Sequence, residues 1–220
     1  MTNDVSVEQP DIRDCDLGTT FTPEQLQEQA HVLYGGIACP GKRPGFGVVL
    51  ALSKEKHFDG YDIHLLDEVE SSDIRELMHR CAALDAKYTP ARWVGDNRNS
   101  AADRFIHELN AERQPPVDAF EETPGRRCFY VCSSQLLDME RPYEYMLPTL
   151  KAFLDKDRRR LFLKDSRIIP YLGEVKPDEI PFMEFGEYPA IEALTFAVHE
   201  ITYWRPPERR RRSLCRRRFM

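Results

Sequence analysis

The most chemically suggestive motif in this sequence is a glycine-lysine run near its start. Gly36, Gly41 and Lys42 match the G-x-x-x-x-G-K spacing of a phosphate-binding loop. Arg43 follows where such a loop places Ser or Thr for magnesium, and the next apolar run, FGVVLAL, predicts a strand. A phosphate loop needs a helix at that point, because the helix amides and dipole hold the phosphates. The motif therefore predicts a tight hairpin turn, and a P-loop ATPase is excluded.

Cysteines and histidines give no sign of a transition-metal site. The six cysteines lack the spacing of a disulfide framework or a zinc site, which predicts reduced thiols. The six histidines show no metal-binding spacing either, so His64 and His199 are expected to be structural.

Three antiparallel strands are the first elements that the sequence predicts. Apolar runs are separated by Gly, Pro and Asp-Gly turns that are too short for a parallel crossover. These strands cover residues 31–38, 45–54 and 61–69.

The apolar period then changes from strand to helix. Helical spacing predicts a helix over 71–88, with Ser71 or Ser72 as N-cap, and another over 99–112. The short strand between them, 91–96, is expected to pair in parallel through a right-handed crossover. The rest of the chain predicts a strand at 127–133, a helix from 142 that Pro148 interrupts, a hairpin over 160–175 and a last helix starting near Pro189.

This order predicts an α/β protein of RNase H-like fold. We expect a mixed five-stranded sheet, three antiparallel strands followed by parallel strands, flanked by helices and carrying a helix-plus-hairpin insertion. The domain is expected to cover residues 21–204, after a flexible N-terminal segment over 1–20 and before an arginine-rich tail over 205–220. A topology alone argues only weakly for an activity.

Four stretches resemble the nuclease domain of phage large terminase subunits, in the RNase H-like (RuvC-like) superfamily. They are GGIACPGKRPGFGVVLAL, IHLLDEVE, RWVGDNRNSAADRFIHEL and EYPAIEALTFAVHEI, and the resemblance spans roughly residues 31–203. In that family, carboxylates from the first strand, the fourth strand and the last helix hold one or two divalent ions that act on a phosphodiester. The resemblance implies a hydrolase, a metal-dependent DNA endonuclease with Mg²⁺ or Mn²⁺ as cofactor.

The resemblance also implies which residues form the site. Asp96 stands at the carboxylate of the fourth strand and Glu192 at that of the last helix, and both are expected to bind metal. The first-strand aspartate is replaced by Cys39 or Ala38, so Glu68 is the candidate to complete the catalytic set. For each acid, the alternative is a solvated carboxylate at the end of an element.

The carboxyl-terminal segment is strongly basic in an otherwise acidic chain. The net charge is −6, yet residues 205–218 hold eight arginines and one glutamate, so the remainder carries about −13. Such a run is a disordered tail, a contact for DNA phosphates through Arg209, Arg210, Arg211 and Arg212, or a chance extension of the reading frame.

Two functions remain open from the sequence. One is a DNA endonuclease related to phage packaging, with double-stranded DNA as substrate and other packaging proteins as partners. The other is a catalytically silent RNase H-like module that binds DNA or packaging partners, the first-strand acid having been lost. No apolar run reaches the roughly 18 residues that cross a bilayer, so we expect a soluble, intracellular protein without a membrane partner. The resemblance to phage terminases implies the cytoplasm of a bacterial host.

Overall fold

The computed structural model describes residues 25, 28, 30–57, 60–95, 100–110, 141–154, 160–163 and 165–203. Five strands lie in this part of the chain: β1 (Ala30–Ala38), β2 (Gly45–His57), β3 (Gly60–Ser71), β4 (Arg92–Gly95) and β5 (Leu161–Phe162). Five α-helices accompany them: α1 (Ile74–Tyr88), α2 (Ser100–Asn110), α3 (Pro142–Leu154), α4 (Ile168–Glu174) and α5 (Pro189–Tyr203). A short 3₁₀ helix covers Ile180–Phe182.

The strands form one mixed sheet in the order β4-β1-β2-β3-β5. The first three strands pair as antiparallel neighbours, and β4 returns beside β1 in parallel. This arrangement confirms the predicted mixed sheet and the predicted parallel pairing of the fourth strand. The carboxyl ends of β1 and β4 consequently meet at one edge of the sheet.

Helices cover both faces of the sheet, and each face has its own core. Helix α5 lies across β1, β2 and β4, and α3 and α4 pack against it. The opposite face is covered by α1, against β2 and β3, and by α2, against β4. The largest side chains enclosed on the α5 face are Tyr143, Phe46, Phe196, Leu50, Ile63, Met146 and Leu150, and those on the other face are Trp93, Tyr88, Ile37 and Leu77.

Neighbouring glycines in β1 let both layers approach the strand closely. A Cβ added at Gly36 would overlap the carbonyl oxygen of Ala193 in α5, and one added at Gly35 would lie 2.6 Å from Cζ3 of Trp93. Because adjacent residues of a strand face opposite ways, the two glycines serve opposite faces of the sheet.

The carboxyl-terminal end of α2 fixes the position of β4. Asn110 accepts a hydrogen bond from the backbone amide of Trp93, at 2.9 Å, and donates one to its carbonyl, at 2.8 Å. One side chain thus satisfies both backbone groups of Trp93, as a neighbouring strand would.

Two local predictions for the helices were wrong. The N-cap of α1 is Asp73, whose carboxylate accepts the amide of Glu76, and not Ser71 or Ser72. Pro148 does not interrupt α3, which continues to Leu154. Pro148 lies on the exposed side of α3, where water can reach the carbonyl left without a helical donor, while the buried side holds the helix in place.

The predicted hairpin over 160–175 was also wrong. Only Leu161–Phe162 join the sheet, in parallel with β3, and the chain then turns into α4. Asp165 adopts a left-handed φ of 52°, and the hydroxyl of Ser166 accepts the amide of Ile168 at 3.0 Å. This hydrogen bond satisfies an amide of the first helical turn. Ile168 and Leu172, four residues apart, are both buried, so the apolar residues that fit a strand pattern form one face of a helix.

Several predictions fall outside the described residues: the flexible segment over 1–20, the strand at 127–133 and the tail over 205–220. No helix in the described part of the chain has the length and apolarity to span a membrane.

Candidate active site

The site lies at the sheet edge where β1 and β4 end and α5 begins. Ile37 of β1 pairs with Gly95 of β4, so both strands finish side by side. The carbonyl of Ala193, in the first turns of α5, sits directly over Gly36. Three segments far apart in sequence are thereby brought to one place.

Glu192 is the carboxylate that α5 contributes to this edge. It lies in the first helical turn, where the helix dipole favours a negative charge, and is only 2% exposed. Its Oε1 accepts a hydrogen bond from the Tyr143 hydroxyl at 2.5 Å and another from the Gly186 amide at 2.6 Å. Neutral donors therefore support this buried acid, as a metal-binding carboxylate is supported by its surroundings.

Tyr143 joins three segments through its hydroxyl. It is fully buried in α3, donates to Glu192 and accepts the backbone amide of Tyr188 at 2.7 Å. Burial first, and then the neighbouring charge of Glu192, raises the pKa of Tyr143 well above its ordinary value of 10. The phenol thus remains a proton donor to Glu192 at any physiological pH.

The glycine-lysine motif forms a turn that packs on the segment before α5. Residues 41–43 bend between β1 and β2, so the prediction of a hairpin turn is confirmed. A Cβ at Gly41 would lie 2.9 Å from the Cα of Gly186, which has a left-handed φ of 91°. The Lys42 amide donates to the Gly186 carbonyl at 3.1 Å, and its ammonium pairs with Glu187 at 2.5 Å. The glycines therefore serve a backbone-to-backbone contact.

Arg43 completes this contact from the same turn. Its guanidinium pairs with Glu174 at 2.7 Å and lies over the ring of Tyr188, 4.4 Å from the centroid. A partly exposed cation over an aromatic face stabilises the fold by on the order of 1 kcal/mol. Arg43, at the position where a phosphate-binding loop has its magnesium-binding Ser or Thr, therefore has a structural role here.

The first strand offers no carboxylate at this edge. Ala38 belongs to the core on the α5 face and is fully buried. Cys39 follows it and lies towards Cys81 of α1, on the opposite face. Burial, with a smaller contribution from Cys39, raises the pKa of the Cys81 thiol to about 12. The residue on the α5 side at the expected aspartate position is thus Ala38, which has no ligand atom.

Glu68 lies on β3, two strands away from β1, against the turn that precedes α4. Its carboxylate accepts the Ser166 hydroxyl at 2.7 Å and the Arg167 amide at 2.5 Å, and the Arg167 guanidinium is 3.6 Å away. Its neighbour Asp67 binds the Lys87 ammonium and the Tyr88 hydroxyl, both at 2.9 Å, on the α1 side. These contacts connect β3 to the helices on either face.

Asp96 directly follows the last residue of β4 and lies outside the described residues, as do Arg209, Arg210, Arg211 and Arg212. Within the described ranges, no group of three His, Cys, Asp or Glu side chains is placed to hold a metal ion. The structure therefore brings Glu192 to the expected edge, and it places Glu68 two strands from β1, level with Gly36 through Val48 of β2.

Two supporting residues were missed from the sequence. Tyr143 lies 49 positions before Glu192, in a segment predicted only as a helix, and nothing local links the two. Gly186 was identifiable in principle, because a glycine shortly before a helix that starts with proline indicates a tight backbone turn.

Comparison with known proteins was made on sequence and on structure. No protein-family model matches the chain, and no curated protein matches it in sequence. Among solved structures it is similar to the nuclease domain of the large terminase, g2p, of bacteriophage SPP1, crystallised with bound Mn. The sequence identity is 15%, the alignment covers 84% of this chain and 94% of that domain, and the TM-score is 0.50. The chain therefore has the RNase H-like fold of a phage terminase nuclease domain, as the sequence resemblance predicted.

Proposed function

We propose that this chain is a metal-dependent DNA endonuclease related to the terminase nucleases. One observation carries the proposal: the buried carboxylate of Glu192, supported by a hydroxyl and a backbone amide, at the edge where β1 and β4 end. Asp96 is the next residue after β4, and its carboxylate would complete a pair of oxygen ligands.

This donor set fits a single hard divalent ion. Magnesium in phosphoryl-transfer sites is held by one or two carboxylates together with substrate phosphate oxygens, and Asp96 and Glu192 supply two. With Ala38 at the first-strand position, the site lacks the third carboxylate that two metal ions would share. When bound, Mg²⁺ or Mn²⁺ would lower the pKa of a bound water and stabilise negative charge on the phosphodiester.

The chain's own residues have distinct roles in this proposal. Glu192 presents its carboxylate from a rigid helix, and Tyr143 and Gly186 fix its orientation. Glu68 as a third ligand stays a prediction, and its contacts with Ser166 and Arg167 favour a structural role.

The basic tail is the proposed DNA contact outside the site. Arg209, Arg210, Arg211 and Arg212 would bind phosphates and compensate for the acidic remainder of the chain, with an affinity that falls steeply as salt rises. Packaging proteins as partners and the cytoplasm of a bacterial host as the location belong to the same proposal.

A catalytically silent DNA-binding module is the second candidate. Ala38, buried on the α5 face at the first-strand acid position, favours it, because the loss of that acid removes the ligand two ions would share. The RNase H-like sheet would then act as a scaffold for DNA or packaging proteins.

Incubation of the purified protein with supercoiled plasmid and Mg²⁺ or Mn²⁺ distinguishes the two. We expect nicking or linearisation by the wild-type protein and none by Asp96→Asn or Glu192→Gln. Glu108→Gln is the matched control, because its exposed carboxylate pairs with Arg104 within α2, on the face of the sheet opposite α5. DNA binding that weakens as salt rises, without cleavage, would favour the catalytically silent module. Cleavage that persists in Asp96→Asn would refute the proposed metal ligands.

A further inference from the structure

We propose that Tyr143 is a positioning residue for the metal-binding carboxylate of Glu192, an inference that rests on the proposed function. Its hydroxyl donates to Glu192 from α3, outside α5 and the segment leading into it. The hydrogen bond to Oε1 would hold the Glu192 carboxylate in one orientation, so that it could bind a metal ion without first rotating.

The contacts of Tyr143 define a single orientation for the Glu192 carboxylate. The phenol and the Gly186 amide both donate to Oε1, at 2.5 and 2.6 Å. The phenol itself is fixed, because it accepts the Tyr188 amide at 2.7 Å and its ring lies edge-on to that of Tyr188, with centroids 6.2 Å apart. Two fixed donors on one oxygen leave the carboxylate little freedom to rotate.

The arrangement also reaches the β1–β2 turn. Gly186 donates to Glu192 through its amide and accepts the Lys42 amide through its carbonyl, at 3.1 Å. Helix α3, the turn of the glycine-lysine motif and the start of α5 are therefore connected at one carboxylate.

Tyr88 provides a matched comparison on the opposite face of the sheet. Its hydroxyl donates to the Asp67 carboxylate at 2.9 Å in a part-buried place, and its side chain is 2% exposed, against 0% for Tyr143. The two tyrosines thus make the same type of bond, one to the proposed ligand and one to an acid outside the site.

Mn²⁺ binding to the full chain, measured by titration calorimetry without DNA, tests the inference. Tyr143→Phe is expected to weaken binding by about tenfold, the lower end of the effect of removing a group that supports a metal ligand, while Tyr88→Phe leaves binding unchanged. Circular dichroism checks that both variants are folded at the temperature of the titration.

Each outcome separates the inference from the proposed function. Absence of Mn²⁺ binding by the wild-type protein would overturn both. Unaltered affinity in Tyr143→Phe, or an equal loss in Tyr88→Phe, would overturn the positioning role alone. If Tyr143→Phe does not fold, carbon NMR of the wild-type protein labelled at tyrosine Cζ replaces it: Mg²⁺ should shift the Tyr143 signal and not that of Tyr88, and an unmoved Tyr143 signal would refute the role.

Discussion

Replacing Gly36 with alanine tests whether α5 depends on direct contact with β1. The added Cβ would overlap the carbonyl oxygen of Ala193 and lie 3.0 Å from the Cβ of Ala197. Neither atom can move aside alone, because one is helix backbone and both are buried under the sheet. The helix must therefore shift away from the strand as a unit.

The expected cost follows from two opposing terms. Overfilling a well-packed core typically lowers the free energy of unfolding by about 1–3 kcal/mol. Because the added methyl group would clash with backbone, we expect a loss of about 3 kcal/mol from this term. Alanine restricts the unfolded chain relative to glycine and stabilises a strand by roughly 0.5–1 kcal/mol. The free energy of unfolding should thus fall by about 2 kcal/mol, a large fraction of the stability of an ordinary domain.

Gly35→Ala is the matched control, because it adds the same methyl group to the neighbouring residue on the other face. It would clash with Trp93 and should lower the free energy of unfolding by a similar amount in urea denaturation. Only Gly36→Ala moves α5, so only it should also weaken Mn²⁺ binding. A loss below about 0.5 kcal/mol for Gly36→Ala, or equal loss of Mn²⁺ affinity in both variants, would refute this reasoning.

Three further substitutions or conditions test other parts of the molecule. Gly41→Ala should push Gly186 away from the β1–β2 turn and lower the free energy of unfolding by about 1–3 kcal/mol in urea; unchanged stability would contradict the close contact. Burial lowers the pKa of His64 from 6.5 to about 4, so the unfolded state binds the proton first as pH falls. The free energy of unfolding, at its full value above pH 6.5, should therefore decline by about 3 kcal/mol towards pH 4. The decline should be smaller in His64→Leu, and the same pH dependence in both proteins would contradict this role of His64. Glu68→Ala should cost about 2 kcal/mol, because Ser166 loses a charged acceptor, and should leave Mn²⁺ affinity intact; a loss of affinity would instead restore Glu68 as a ligand.

The sequence was informative about the order and pairing of the elements. Short turns between three apolar runs could only connect antiparallel strands, and a crossover helix between strands required β4 to return in parallel. Pro189 correctly marked the start of α5. The place of Glu192 came from the resemblance to the terminase nuclease domains, which implies a carboxylate at the start of the last helix.

The surroundings of the site depended on contacts between distant segments. The hydroxyl of Tyr143 reaches Glu192 across 49 residues, and no local pattern encodes that pairing. The choice between Ala38 and Cys39 depended on which of them faces α5, which only the register of β1 decides. Helix α4 was missed because its apolar residues also fit a strand, and the burial of Ile168 and Leu172 on one helical face depends on packing against α5.

A crystal of the full chain soaked in Mn²⁺, with anomalous diffraction recorded at the manganese edge, tests the central claim most directly. The account predicts one strong peak within bonding distance of both Asp96 and Glu192, with the Tyr143 hydroxyl still donating to Oε1. A peak elsewhere, or none at saturating Mn²⁺, would contradict it.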